Sequence, residues 1–274
     1  MPRDVQEITD NVRDEVVGRA ELPGMSLLEH LEELRKRIIY SAVSVVGMFF
    51  VAYWFHEQMF NLMQRPIFFA LKNHHLDTQL VYTAPTDAFN MYLKMAFIAA
   101  IFLASPIILY QVWLFISPGL YKHEKRYVVP FMVATVGLFI AGGFFAFKMA
   151  FPAALDFLIG YGQQFKPMIT ISEYTDLFLT LIIGMGIVFE LPILVFFLAL
   201  MGIVNARWLW KNLRYSILVI FTIAAIVTPT TDILNMCIFA APMVALYMAS
   251  IGVAWLVHPS RRKARAAKAQ GAGK

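Results

Sequence analysis

The chain has 274 residues, of which 59% are hydrophobic and 15% charged, and its net charge is +5. This apolar share is above that of soluble domains and the charged share is below it, which excludes an ordinary soluble enzyme or binding domain. The single cysteine, Cys237, excludes an intramolecular disulfide. The positive charges flank apolar runs, where they act as topology signals and not as a nucleic-acid surface. We therefore predict an all-α, polytopic membrane protein that forms one bundle and binds no nucleic acid.

The chain begins with a polar segment, residues 1–25, that carries charges of both signs. It has no apolar stretch typical of a cleavable signal peptide. Because such a composition buries too little apolar surface to order itself, we predict a mobile N-terminal extension. A helix is predicted to begin after it, since Ser26 and Glu29 match a capping box and apolar residues recur at helical spacing from Leu27. This amphipathic helix leads directly into the first apolar run.

Six apolar runs predict six transmembrane helices within a membrane domain of residues 26–257. Their bounds are Ile38–Phe55, Ala88–Ile116, Tyr127–Phe147, Asp176–Met201, Tyr215–Thr228 and Ile233–Val257. Pro106 lies in the middle of the second run and predicts a kinked helix. The fifth run spans only about 21 Å as a helix, against a hydrocarbon core of about 30 Å, so we expect it to thin the bilayer locally.

The distribution of basic residues predicts the orientation of the chain. Most of the 23 Lys and Arg residues lie in the N-terminal segment, in two short loops and in the tail of residues 258–274. The two long polar connections, residues 56–86 and 148–175, contain few of them. Because cytoplasmic segments carry the Lys and Arg excess, we predict that both termini and the basic tail are cytoplasmic.

Catalytic and metal-binding motifs are missing from the sequence. The segment His56–Phe60 begins like H-E-x-x-H, but Phe60 stands where the second zinc ligand would be. Neither a G-x-S-x-G nor a P-loop motif occurs. The histidines do not cluster at metal-ligand spacing within a span, so no catalytic residue, metal or cofactor is predicted.

Glu190 is the most unusual residue within an apolar run. A carboxylate in a membrane span is costly and is a functional candidate by default. Pro192 follows it and predicts a break in the helix that frees backbone carbonyls. Three interpretations are open: a hydrogen bond to a neighbouring helix, a proton relay in a transporter, or a polar docking point for another membrane helix. The relay reading favours a proton-coupled small-molecule transporter, with Lys94 as the only possible intramembrane companion.

Two carboxylates on the predicted cytoplasmic side stand among positive charges. Glu124 is the only acid in the loop that contains Lys122 and Lys125, and Glu33 precedes a basic triplet. Each has an ordinary interpretation, because Glu124 fits a solvated loop and Glu33 could pair with Arg37 at i,i+4. Together they could each accept a guanidinium group in a two-point fork, which suits arginine better than lysine.

Several motifs resemble the TatC family, the multi-spanning component of the twin-arginine protein translocase. The resemblance extends from Ser26 to Val257 with the same order of spans. Its motifs are His30–Arg37, Ser105–Trp113, Pro118–Glu124, Phe189–Pro192 and Thr228–Asp232. Two features depart from the family pattern: the long N-terminal extension, and a Pro-Thr-Thr-Asp turn where some members have Pro-Pro-Asp.

The resemblance implies a function in protein transport and no enzymatic activity. The chain would recognise signal peptides with paired arginines and assemble with small single-span TatA- and TatB-type subunits. It would also self-associate and move folded proteins across the cytoplasmic (inner) membrane with the proton-motive force. The implied fold is a concave, glove-like bundle with both termini in the cytoplasm.

The resemblance also implies roles for individual residues. The residues implied to bind the signal peptide, or to hold its carboxylate ligands in place, are Glu33, Glu124, Arg35, Lys122 and His123. Glu190 would be a polar group in the concave face. The end of the fifth span would dock a partner helix through Thr228, Asp232 and Asn235.

Overall fold

The computed structural model describes residues 27–116, 128–162, 164–165, 167–200, 203–228 and 233–257. Within them the chain is helical, and the only β-pairing is an isolated bridge between Val81 and Thr170. The helices are α1 Leu27–Trp54, α2 His56–Met63, α3 Arg65–Asn73, α4 Asp87–Ile116, α5 Val128–Phe145, α6 Phe151–Tyr161, α7 Ile171–Val188, α8 Leu191–Leu200, α9 Ala206–Lys211, α10 Leu213–Val227 and α11 Ile233–Val257. The N-terminal extension and the basic tail of the sequence lie outside the described residues.

Five helical stretches are long and apolar enough to cross a membrane. They are Leu28–Trp54, Asp87–Phe115, Met132–Tyr161, Ile171–Ala199 and Met236–Trp255. A sixth apolar helix, Leu213–Ile226, is shorter. The described helices therefore confirm the predicted all-α, polytopic fold, in which the fifth of six apolar segments is short.

The first span is one continuous helix, α1, that begins at Leu27. Its amphipathic first turns therefore continue into its apolar run without a break, as the sequence predicted. α1 packs chiefly along α4, and much of its apolar surface remains exposed, including Val43, Val46, Phe50 and Trp54. An apolar helix with one main neighbour has its remaining faces available to lipid. The second span, α4, runs without interruption through Pro106.

The two long connections contain helices, which the sequence analysis did not predict. We call the side of the bundle opposite Glu33 the distal side, since both connections follow the far ends of spans. α2 and α3 occupy much of the first connection, and α3 packs on α6 of the second. Burial explains why they form, because Ile67 and Leu71 of α3 are almost completely covered. Ile67 and Leu71 thus lie on the inner face of α3.

The third span is longer than predicted. It does not end at Phe147, because a π-helical turn, Ala146–Ala150, joins α5 directly to α6. Phe151, Leu155 and Ile159 recur at helical spacing and are buried, so the apolar stripe continues beyond the charged Lys148. The sequence interpretation of this part as a polar connection was therefore wrong.

The distal connections are joined by several polar contacts. The Ile171 amide donates to the Val81 carbonyl over 2.8 Å, and the Val81 amide donates to the Ile169 carbonyl over 3.0 Å. The Tyr174 hydroxyl, buried in the core, donates to the Met63 carbonyl. These bonds connect α7 to both the first connection and the end of α2. The distal side is therefore held by contacts between residues that are far apart in sequence.

Candidate functional site

Glu33, Arg37 and Gln111 form a polar contact between α1 and α4. The Arg37 guanidinium donates from Nη2 to Glu33 Oε1 over 3.0 Å and from Nη1 to Gln111 Oε1 over 3.1 Å. Glu33 and Arg37 are one helical turn apart, which places both side chains on the face of α1 that meets α4. The contact therefore exists because α1 and α4 lie side by side here.

The second oxygen of the Glu33 carboxylate is not used within this contact. Only 16% of the Glu33 side chain is exposed. Oε2 is buried, and no hydrogen bond reaches it from any of the residues that the structure describes. A buried acceptor without a donor costs free energy, so a donor that reached Oε2 would be stabilised there. A guanidinium group from outside the chain has the required geometry and charge.

An aromatic contact lies next to this polar contact. The His30 ring stacks on the Phe115 ring with centroids 4.3 Å apart and planes 13° apart. His30 is one turn before Glu33 on α1, and Phe115 is one turn after Gln111 on α4. The stacking therefore fixes the same two helices at their shared end. Together the two contacts hold the ends of α1 and α4 side by side around one buried carboxylate oxygen that no described residue pairs.

Of the other residues predicted to bind the signal peptide, the structure describes only Arg35. Arg35 is exposed, and among the described residues the partner of Glu33 is Arg37. Arg37 also donates to Gln111 of α4, and the orienting role that we expected of Arg35 stays a prediction. Glu124, Lys122 and His123 lie outside the described residues.

Gln111 is the site residue that the sequence analysis missed. It lies within one of the family-like motifs, but nothing local connects it to Glu33. Its hydrogen bond to Arg37 joins residues 74 positions apart. Only the packing of α1 on α4 brings them together, so the motif containing Gln111 was the only available signal.

Glu190 lies at the predicted break in the fourth span. α7 ends at Val188 and α8 begins at Leu191, with Glu190 in the turn between them. The Glu190 carbonyl accepts hydrogen bonds from the amides of Ile193 and Leu194. The side-chain Oε1 is buried, and within the described part of the chain no donor bonds to it. The structure thus confirms the break and provides no intramolecular hydrogen-bond partner for Oε1 among these residues.

Close backbone packing fixes the helix end next to Glu190. A Cβ atom built on Gly142 of α5 would lie 2.5 Å from the Met185 carbonyl oxygen and 2.9 Å from the Phe189 Cβ. Real Cβ atoms do not approach this closely, so only glycine permits α5 to contact the last turn of α7. The aromatic pair Phe145 and Phe189, with centroids 5.8 Å apart, continues this contact.

Lys94 is not a companion of Glu190. Its ammonium group lies 2.6 Å from the Asp176 carboxylate, and both side chains are about half exposed. This ion pair joins the second turns of α4 and α7 on the distal side. The pairing removes the intramembrane charge partner that a proton relay through Glu190 would have used.

The predicted docking residues at the end of the fifth span are partly described. Thr228 is buried, and its hydroxyl donates to the Ala224 carbonyl over 2.8 Å. It therefore closes the end of α10 from within the protein. Asp232 lies outside the described residues, as does the side chain of Asn235. Within the described ranges no group of histidine, cysteine or acidic side chains could hold a metal ion.

The fold defines a polytopic helical membrane protein, with a polar contact between α1 and α4 at one end of the bundle. Comparisons with known proteins identify its family. The family model of the Sec-independent protein translocase protein TatC matches residues 29–242. The chain therefore belongs to the TatC family. It is a component of a protein translocase in the inner membrane and not an enzyme.

Relatives and solved structures agree with this assignment. The TatC protein of Koribacter versatilis is 69% identical over 244 residues, which cover 89% of this chain and 90% of that protein. The TatC protein of Carboxydothermus hydrogenoformans is 40% identical over 86% of this chain and 95% of its own length. A crystal structure of the twin-arginine translocase receptor TatC superposes with a TM-score of 0.72 at 33% identity, covering 84% of this chain and 99% of the other. Membership of this family gives no support to the alternative of a small-molecule transporter.

Proposed function

We propose that this chain is the receptor that binds twin-arginine signal peptides and forms the core of a translocase for folded proteins. The observation that supports it is the Glu33 carboxylate, which is largely buried, held by Arg37 through one oxygen and unpaired at the other among the described residues. The solved relative is itself titled a twin-arginine translocase receptor.

In this proposal the end of the bundle that carries Glu33 faces the cytoplasm, as do both termini. One arginine of the signal peptide binds Oε2 of Glu33, while Arg37 and Gln111 keep the carboxylate in place. The second arginine binds Glu124, which Lys122 and His123 hold, and Arg35 adds to the positive charge around the site. The arginine fork discriminates against lysine because an ammonium group offers no planar pair of donors.

The partners in this proposal are single-span TatA- and TatB-type subunits and further copies of this chain. The end of α10 with Thr228, Asp232 and Asn235 docks a partner helix. Glu190 offers the unpaired Oε1 of its carboxylate within the membrane, where a polar group of a partner or of the signal peptide would satisfy it. Transport is driven by the proton-motive force, and the short α10 thins the bilayer beside this site.

The test is a pull-down of the detergent-solubilised protein with a twin-arginine peptide and its twin-lysine counterpart. We expect the arginine peptide to be preferred. Glu33→Gln removes one charge-assisted contact of about 1.5–3 kcal/mol and is expected to weaken binding about ten- to a hundredfold. Glu124→Ala is expected to do the same.

Glu32→Gln is the matched control, because Glu32 is an exposed neighbour on the same helix. It is expected to leave the affinity unchanged. Equal retention of both peptides, or equal loss for Glu32→Gln and Glu33→Gln, would contradict the receptor role of Glu33.

A further inference from the structure

A groove of about 540 Å³ opens on the distal side of the bundle between α3, the π-helical turn and α6. Its lining includes the apolar side chains of Phe69, Phe147 and Pro152. Phe69 is 63% exposed although it is a large apolar residue. The volume lies in the range of small-molecule sites, and the apolar wall is suited to hydrocarbon rather than to water.

Two cations line the same groove, Arg65 from the start of α3 and Lys148 from the π-helical turn. Both side chains are exposed, and neither forms an ion pair with any residue that the structure describes. The one acid in the lining, Asp156, is bonded to His74 Nε2 over 2.9 Å. The groove therefore presents two positive groups that form no ion pair among the described residues, and its carboxylate already has a partner. Lys148 Nζ lies 5.6 Å from the centroid of the Phe147 ring.

The groove lies at the expected boundary between hydrocarbon and water. Lys148 follows Met132, the start of the third apolar helical stretch, by 16 residues, which is about 24 Å of helix, so its long side chain can reach the distal headgroups. Arg65 lies beyond the end of the first apolar run on the same side. Cations at this depth meet lipid phosphates, while the apolar residues beside them meet the upper acyl chains.

We propose that this groove binds an anionic phospholipid from the distal leaflet of the membrane. Arg65 and Lys148 bind its phosphate group, and Phe69 and Phe147 contact the first methylene groups of its acyl chains. The two cations favour a headgroup with net negative charge over a zwitterionic one. The apolar wall at the membrane boundary favours a lipid over a free phosphate ester. Neither argument depends on the receptor role of Glu33, which lies at the other end of the bundle.

The test is native mass spectrometry of the purified full chain titrated with phosphatidylglycerol, phosphatidylcholine or glycerol 3-phosphate. We expect phosphatidylglycerol to remain bound at the lowest concentration. Each cation near an anionic headgroup is expected to account for roughly fivefold in affinity, so Arg65→Gln with Lys148→Gln lowers it about 25-fold. Lys72→Gln is the matched control, since Lys72 is an exposed distal cation outside the groove. This variant is expected to bind phosphatidylglycerol with unchanged affinity.

A second variant tests the groove itself without altering its charge. Ala153 lines the groove, so the side chain introduced by Ala153→Trp is expected to fill it and to lower phosphatidylglycerol binding at least tenfold while both cations remain. Equal binding of phosphatidylcholine, an equal effect of Lys72→Gln, or unchanged binding in Ala153→Trp would each overturn the proposal. Displacement of the lipid by equimolar glycerol 3-phosphate would overturn it as well, by assigning the site to a soluble anion.

Discussion

Glu33 and Glu190 are two half-buried carboxylates, each with one buried oxygen, and their surroundings are built in different ways. Glu33 is held by side chains, through Arg37 and the bond from Arg37 to Gln111. Glu190 is held by its backbone, in a helix break fixed by the approach of Gly142 to Met185. The first site depends on charge and the second on close packing, so different substitutions should disrupt them.

The largest effect is expected from Gly142→Ala. The new Cβ would meet a backbone carbonyl at 2.5 Å, and backbone atoms cannot move aside as a flexible side chain does. We expect the free energy of unfolding to fall by about 3 kcal/mol, the upper range for overpacking. Thermal unfolding in detergent measures it.

Gly137→Ala on the same helix is the control, because nothing lies within 4 Å of its Cβ position. It is expected to be neutral or stabilising by up to about 1 kcal/mol, since alanine favours helix over glycine. Equal unfolding temperatures for the two variants would show that the contact beside Glu190 is not tight.

Glu190→Leu is expected to stabilise the isolated chain by about 1–3 kcal/mol. It removes a buried carboxylate oxygen to which no described residue donates a hydrogen bond, and such a group is costly in an apolar environment. Glu190→Gln, which keeps polar atoms, should give little gain. A lower unfolding temperature for Glu190→Leu would indicate that the carboxylate is already satisfied within the bundle. A stabilised variant that loses transport would instead separate the stability of the site from its function.

Arg37→Lys tests the side-chain support of Glu33. A lysine ammonium cannot present two planar donors to Glu33 and Gln111 at once. We expect a loss of about 1 kcal/mol in the free energy of unfolding, the size of one net hydrogen bond. Arg35→Lys, at an exposed position, should have no effect. If the two variants unfold alike, the bond between Arg37 and Gln111 does not contribute to stability.

The smallest effect is expected at the ion pair between Lys94 and Asp176. Its side chains are 46% and 54% exposed, compared with 26% and 16% for Arg37 and Glu33. A double-mutant cycle with alanine at both positions should give a coupling energy of about 0.2–1 kcal/mol that decreases with added salt. The same cycle at Glu33 and Arg37 should give a larger value. The reverse order would contradict the view that burial strengthens the Glu33 contact.

Local sequence patterns predicted most helix positions, but they predicted few of the contacts between residues that are far apart in sequence. The helix start at Leu27 followed from the capping pattern, and the break at Glu190 followed from Pro192. Hydrophobic runs predicted six apolar segments. The helices of the distal connections were missed because charged residues and prolines interrupt their apolar stripes, as Lys148 does before α6 and Pro152 does in its first turn.

The site shows the same limit. The pairing of Glu33 with Arg37 was available from their spacing on one helix. The contact of Arg37 with Gln111 and the pairing of Lys94 with Asp176 depend on which helices are neighbours. The residues around each position contain no signal for which helices become neighbours.

The π-helical turn at Ala146–Ala150 determines which side chains of α6 face the rest of the protein. Such a turn places one extra residue in the helix, and one residue corresponds to about 100° of rotation. Removing a single residue there would turn α6 by this angle. Its buried stripe, Phe151, Leu155 and Ile159, would then face outward, and Asp156 would leave His74. The turn rotates α6 relative to α5. As a result, α5 packs on the bundle before Lys148, and α6 packs on the distal connections after it.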